Sequence, residues 1–111
     1  MMEWLKKLWR KRMKIEKLLV TDKDAVGDFV TVEDAIDLTV QIASTDKAKK
    51  FSGNVLIEGT LDQDPKTDKW SPLLTTAGEE VLSLSGYALA GLRASTFGMA
   101  GGEVTILASY R

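Results

Sequence analysis

Two periodicities divide this chain. Through residues 1–20 (MMEWLKKLWRKRMKIEKLLV) the apolar positions recur every three or four residues, whereas from residue 29 onward they recur every second residue. On a helical wheel of about 100° per residue, Trp4, Leu5, Leu8, Trp9, Ile15, Leu18 and Leu19 cover one half and Lys6, Lys7, Arg10, Lys14 and Lys17 the other, predicting an amphipathic α-helix over residues 1–20. Lys11, Arg12 and Glu16 fall in the apolar half and interrupt any strict coiled-coil seam. The polar stretch at residues 21–28 (TDKDAVGD) reads as a linker.

The rest alternates. A short strand is expected at Phe29–Val32, and a half-buried one at Asp37–Ala43, where Leu38, Val40 and Ile42 alternate with Thr39 and Gln41. Phe51–Leu61 places Phe51, Val55, Ile57 and Leu61 on one face. Trp70–Thr75 contains Pro72, which lacks an N–H and so belongs at a sheet edge. Val81–Ser85 and Ala88–Phe97 follow, the latter with Leu92, Ala94 and Thr96 in register. Gly98–Gly102 is expected to turn the chain into a last strand at Glu103–Tyr110, with Val104, Ile106, Ala108 and Tyr110 on one face. Six or seven short strands at this spacing predict a mainly β domain over residues 29–111, an antiparallel β-sandwich or jelly roll, carrying the helical arm at its N-terminus.

Charge sharpens the division. The first twenty residues hold seven cations against two carboxylates, a net +5 within a chain of net −1, so the remainder is acidic. The helix therefore has three readings: a face packed on the body or a sister subunit, an anchoring arm whose tryptophans supply large desolvated contacts, or an interfacial helix on a membrane surface. The arm is no secretory signal, because its longest apolar run is Leu18-Leu19-Val20. Nucleic acid is disfavoured as a partner, since the acidic body repels phosphate. At 111 residues the chain has room for one domain. It contains neither cysteine nor histidine, which excludes disulfides, thiolate metal sites, imidazole ligands and histidine-based triads.

The run Gly53-Asn54-Val55-Leu56-Ile57-Glu58-Gly59-Thr60-Leu61-Asp62, followed by Trp70-Ser71-Pro72-Leu73, resembles the strand, turn and W-x-x-L pattern of galactose-binding-like jelly rolls. It also resembles small β-sandwich virion proteins of tailed bacteriophages, of the capsid decoration or fibre-adaptor type. Gly91-Leu92-Arg93-Ala94-Ser95-Thr96 and Gly102-Glu103-Val104-Thr105-Ile106 are similar to the last hairpin of those domains. The resemblance covers residues 29–110 and implies a structural protein located in a virion.

Other chemistry is sparse. Trp70 is expected to fill the gap between two sheets, with a ligand-stacking platform as the alternative. Asp62, Asp64 and Asp68 fail the calcium-loop pattern, because Lys66 and Thr67 stand where a ligand and a glycine are required, and they read as a solvated turn. The glycines at 98–102 are followed by no helix and no Lys-Ser/Thr, so they form no phosphate cradle. Glu79 and Glu80 would point to opposite faces as neighbours in a strand and so not converge on one substrate, and an exposed turn is their expected home. The expectation is a non-enzymatic protein with no cofactor and no metal. It would bind virion proteins and copies of itself through Trp4, Leu5, Lys6, Leu8, Trp9, Arg10 and Lys14 and through its sandwich edges. A carbohydrate-binding module and a membrane-surface-anchored β domain are the alternatives.

Overall fold

The computed structural model describes residues 14–84, 86 and 88–111. Among the described residues nine antiparallel strands run in chain order: β1 (Lys14–Thr21), β2 (Ala25–Val26), β3 (Val30–Thr31), β4 (Leu38–Ser44), β5 (Ser52–Thr60), β6 (Ser71–Thr76), β7 (Glu80–Ser83), β8 (Gly91–Gly101) and β9 (Val104–Tyr110). The first sheet has the order β1-β9-β4-β7. The second has the order β2-β8-β5-β6, with β3 continuing the β2 edge along β8. Successive strands thus pass repeatedly between the sheets, and the two orders are those of a double-sheet jelly roll.

The alternation seen in the sequence becomes an inside and an outside. Leu38, Val40 and Ile42 of β4, with Val104, Ile106 and Ala108 of β9, project inward from the first sheet. Val55 and Ile57 of β5, with Leu92 and Ala94 of β8, meet them from the second, and all belong to one buried cluster. Removing each large aliphatic side chain from water contributes about 1.5–3 kcal/mol, so this layer holds the sheets together. The edges are built differently. β6 lies at the margin of its sheet, where Pro72 faces Glu58 at an irregularity between Ile57 and Glu58 and its missing N–H interrupts little.

The N-terminal expectation needs correction. Among the described residues there is no helix: Lys14–Thr21 is a strand, laddered against β9 from Lys14↔Tyr110 to Thr21↔Val104. Its register shifts between Lys17 and Leu19. Such a bulge places one extra residue in the strand and breaks strict alternation, so Ile15, Leu18 and Leu19 acquire a spacing that imitates a helix. Seven backbone pairings with β9 and the burial of Leu18 decide the conformation. Residues 1–13 lie outside the described residues.

Nor do residues 21–28 behave as a linker. Thr96 Oγ1 donates to Lys23 O (2.6 Å) and accepts from Ala25 N (3.0 Å), Gly27 N donates to Ala94 O (2.7 Å), and Met99 N donates to Asp24 Oδ1 (2.8 Å). The stretch expected to join arm and body is stitched into the second sheet.

Candidate functional site

The strand ends group the loops into two ends of the sandwich. At one end β4 finishes, β5 starts, and the β8–β9 hairpin turns; this end is closed. Ser44 N donates to Glu79 Oε2 (3.1 Å), Phe51 N donates to Ser44 Oγ (3.1 Å), and Lys50 Nζ reaches Glu79 Oε1 at 2.7 Å. Phe51 is buried beneath this clasp. Gly102 packs so tightly on the backbone of Lys50 and Phe51 that a Cβ there would stand 2.6 Å from Lys50 O, and its φ of +73° is one that side-chain-bearing residues seldom adopt. The salt bridge and the Ser44 amide together hold the Glu79 carboxyl below its ordinary value of 4.5. Glu79 is thus a structural clasp. The Gly98–Gly102 turn is shorter than expected, since β8 continues to Gly101 and the reversal is confined to residues 101–103.

The other end is open. The loops at 32–37 and 61–70 meet residues 88–90 there, tied by Val32 N→Ala90 O (3.1 Å) and Ala90 N→Thr60 O (2.8 Å). Between them lies a cleft of about 260 Å³ lined by Glu33, Asp34, Ala35, Leu61, Gln63 and residues 88–90. A second cleft, of about 270 Å³, extends past Gly59, Asp62, Lys69 and Leu73. Leu61 and Leu89 belong to both. Leu61, expected on the buried face of its strand, is 76% exposed, because β5 ends at Thr60 and the next residue leaves the sheet.

The aspartate loop beside the clefts satisfies itself. Asp62 Oδ1 accepts from Asp64 N (3.0 Å), Asp62 Oδ2 from Thr67 Oγ1 (2.8 Å), and Asp64 Oδ1 from Lys66 N (2.9 Å). The bond from the Asp64 amide, then that from the Thr67 hydroxyl, lowers the Asp62 pKa from its ordinary 3.8. Among the described residues no group of three or more acidic side chains is arranged to hold a metal ion.

Trp70 is not between the sheets. Glu58 and Arg93 alternate with inward-facing Ile57, Leu92 and Ala94, so they project from the outer face of the second sheet, directly opposite each other in register. Their ion pair (2.9 Å) carries the Arg93 guanidinium over the Trp70 ring, 4.5 Å from its centroid. Phe29 meets Trp70 edge-on, with centroids 5.8 Å apart at 64°, and its ring covers Gly91, where a Cβ would collide with it. Trp70 Nε1 donates to Thr67 O (3.0 Å). The indole is half-buried on an outer face with its polar atom and one π-face engaged internally. Alternation alone could not place it, because Trp70 precedes β6 and follows no strand parity. The Glu58–Arg93 partnership was likewise missed, since it depends on the register of strands 35 residues apart.

Of the seven arm residues expected to bind partners, only Lys14 is among the described residues; it is exposed at the start of β1, opposite Tyr110. Trp4, Leu5, Lys6, Leu8, Trp9 and Arg10 lie outside them. Tyr110 closes the same end of the first sheet, and burial, then the nearby Glu16 carboxylate, push its pKa above 10.0.

No protein-family model matches the chain, and no curated protein sequence matches it significantly. Solved structures do. The SPBc2 prophage-derived protein YomS superposes with a TM-score of 0.65 at 14% identity, over 88% of this chain and 91% of that one. A putative alpha-L-fucosidase from Bacteroides thetaiotaomicron aligns with a TM-score of 0.56 at 12% identity, over 84% of this chain but 21% of its own. The Yersinia pseudotuberculosis-derived mitogen gives 0.52 at 8% identity, over 86% and 83%. At such identities the likeness is one of fold, and it includes a protein derived from a prophage.

Proposed function

We propose that this chain is a non-enzymatic structural component of a tailed-phage particle, a capsid decoration, cement or head/tail accessory protein. The observation that carries the reading is the likeness to a prophage-derived protein across about nine-tenths of both chains. In such a role the sandwich supplies a rigid body and the contacts are adhesive. Trp4, Leu5, Leu8 and Trp9 bury against a neighbouring virion protein or a sister subunit, while Lys6, Arg10 and Lys14 pair with its acidic surface. Edge strands offer further backbone pairing. The test is mass spectrometry of particles purified by density from an induced lysate of the strain that carries this chain. A stoichiometric copy number supports the proposal; expression without incorporation refutes it.

A carbohydrate-binding role is the second reading, favoured by the aromatic pair on the outer face and by the fold's likeness to part of a putative alpha-L-fucosidase. Against it, Arg93 already occupies a face of the Trp70 ring and Thr67 its N–H. Glycan-array binding that is lost in Trp70→Ala, with folding retained, would replace the virion reading by this one.

A further inference from the structure

The open end of the sandwich combines three properties. It is concave, with two clefts sharing Leu61 and Leu89. Its centre is apolar and exposed, for Leu61 lines both clefts uncovered, and Ile36, on the neighbouring loop outside their lining, is 78% exposed. The rim of the first cleft is anionic: Glu33 and Asp34 line it, with no cation among its described lining residues, while Asp62 and Lys69 face each other's charge in the second. An exposed apolar cleft with an acidic rim fits a peptide that is both apolar and basic.

The chain itself contains such a peptide. Residues 1–13 (MMEWLKKLWRKRM) carry Lys6, Lys7, Arg10, Lys11 and Arg12 against Glu3, with Trp4, Leu5, Leu8 and Trp9 between them. They join the body at this same end. Lys14 stands opposite Tyr110, Tyr110 opposite Leu38, and the loop at 32–37 runs directly into Leu38. β4 lies two strands from β1, roughly 10 Å, and the facing sheet a further ~10 Å across. Trp9 stands five residues and Trp4 ten residues before Lys14, spans of up to about 17 and about 33 Å, so the more distant part of the segment reaches the clefts. A short tether also raises the local concentration of the segment to roughly millimolar, enough for a modest apolar and electrostatic contact to be occupied.

We infer that this cleft-bearing end is the docking site of the chain's own residues 1–13. A tryptophan or leucine of the segment covers Leu61 and Leu89, and its lysines or arginines meet Glu33 and Asp34. The free protein thereby shields its adhesive segment, and an assembly partner must displace it. The inference rests on residues 1–13 being the adhesive segment and not on the particle assignment, so absence from virions would leave it standing.

The experiment is zero-length carbodiimide coupling of the full chain at low concentration, with peptide mapping of the monomer. Amide bonds from Lys6, Lys7 or Lys11 to Glu33 or Asp34 within one chain are expected, with a lower yield at high salt. Leu61→Arg changes an exposed residue, so the melting curve should hold while docking falls on the order of tenfold, the factor that about 1.4 kcal/mol represents. Bonds found only between chains would assign the cleft to a second copy and overturn the inference. It would equally be overturned by coupling to Asp22, Asp46 or Glu103 at the closed end, by no coupling, or by a yield indifferent to both Leu61→Arg and salt.

Discussion

The two ends of the sandwich spend their polar groups in opposite ways. At the closed end the Ser44 backbone and hydroxyl, Glu79 and Lys50 bond to one another over a buried Phe51, and Thr45 and Thr105 share a 2.6 Å hydroxyl contact beside them. At the open end Asp62, Asp64, Thr67 and Trp70 bond within their own loop, the loops are tied to one another by bonds such as Val32 N→Ala90 O and Gln63 Nε2→Glu33 Oε1, and Leu61 and Ile36 are left to solvent. A stable jelly roll needs its core sealed, but the seal need not be equal at both ends. The unequal end is where binding surface remains after folding has been satisfied.

The largest loss is expected when β1 is removed. Deleting residues 1–24 exposes the β9 edge and takes away Leu18, so the product should be unfolded or aggregated by circular dichroism and exclusion chromatography. A folded monomer would show that the first sheet closes without its edge. Next, Phe51→Ala at the closed end should cost about 3–5 kcal/mol in denaturant unfolding, whereas Leu61→Ala at the open end should stay within about 0.5 kcal/mol. Equal losses would abolish the distinction between the two ends.

Trp70→Ala should fall between them, at about 1–3 kcal/mol, because the ring is half-buried yet loses both the Phe29 edge and the Arg93 stack. A loss matching that of Phe51→Ala would make the outer-face cluster part of the core. The smallest effect concerns acid. Glu79 and Asp62 titrate below their ordinary values of 4.5 and 3.8 in the folded chain, so their contributions are present above those values and disappear as pH falls through the lower folded ones. Melting temperature should therefore decline below about pH 4.5, and Glu79→Gln should flatten part of that decline. An unchanged slope would mean that the clasp contributes nothing measurable, as exposed ion pairs often do.

The alternation of Leu38-Val40-Ile42, Val55-Ile57, Leu92-Ala94 and Val104-Ile106-Ala108 was enough to specify a two-layer antiparallel β domain and most of its core, because a period of two admits one arrangement in which a single face meets the interior. Pro72 marked its strand as an edge for an equally local reason. Composition set the charge asymmetry and excluded thiol and imidazole chemistry. Tertiary structure decided the rest. A bulge and a ladder to β9 made a strand of residues whose spacing suits a helix, and hydrogen bonds to Thr96 and Ala94 drew an apparent linker into a sheet. Glu58 and Arg93, far apart in sequence, became partners over Trp70 only through the β5–β8 register, and Leu61 came to line both clefts only because its strand ends one residue earlier. Periodicity states which face a side chain takes; it carries no information about which distant strand lies beside it.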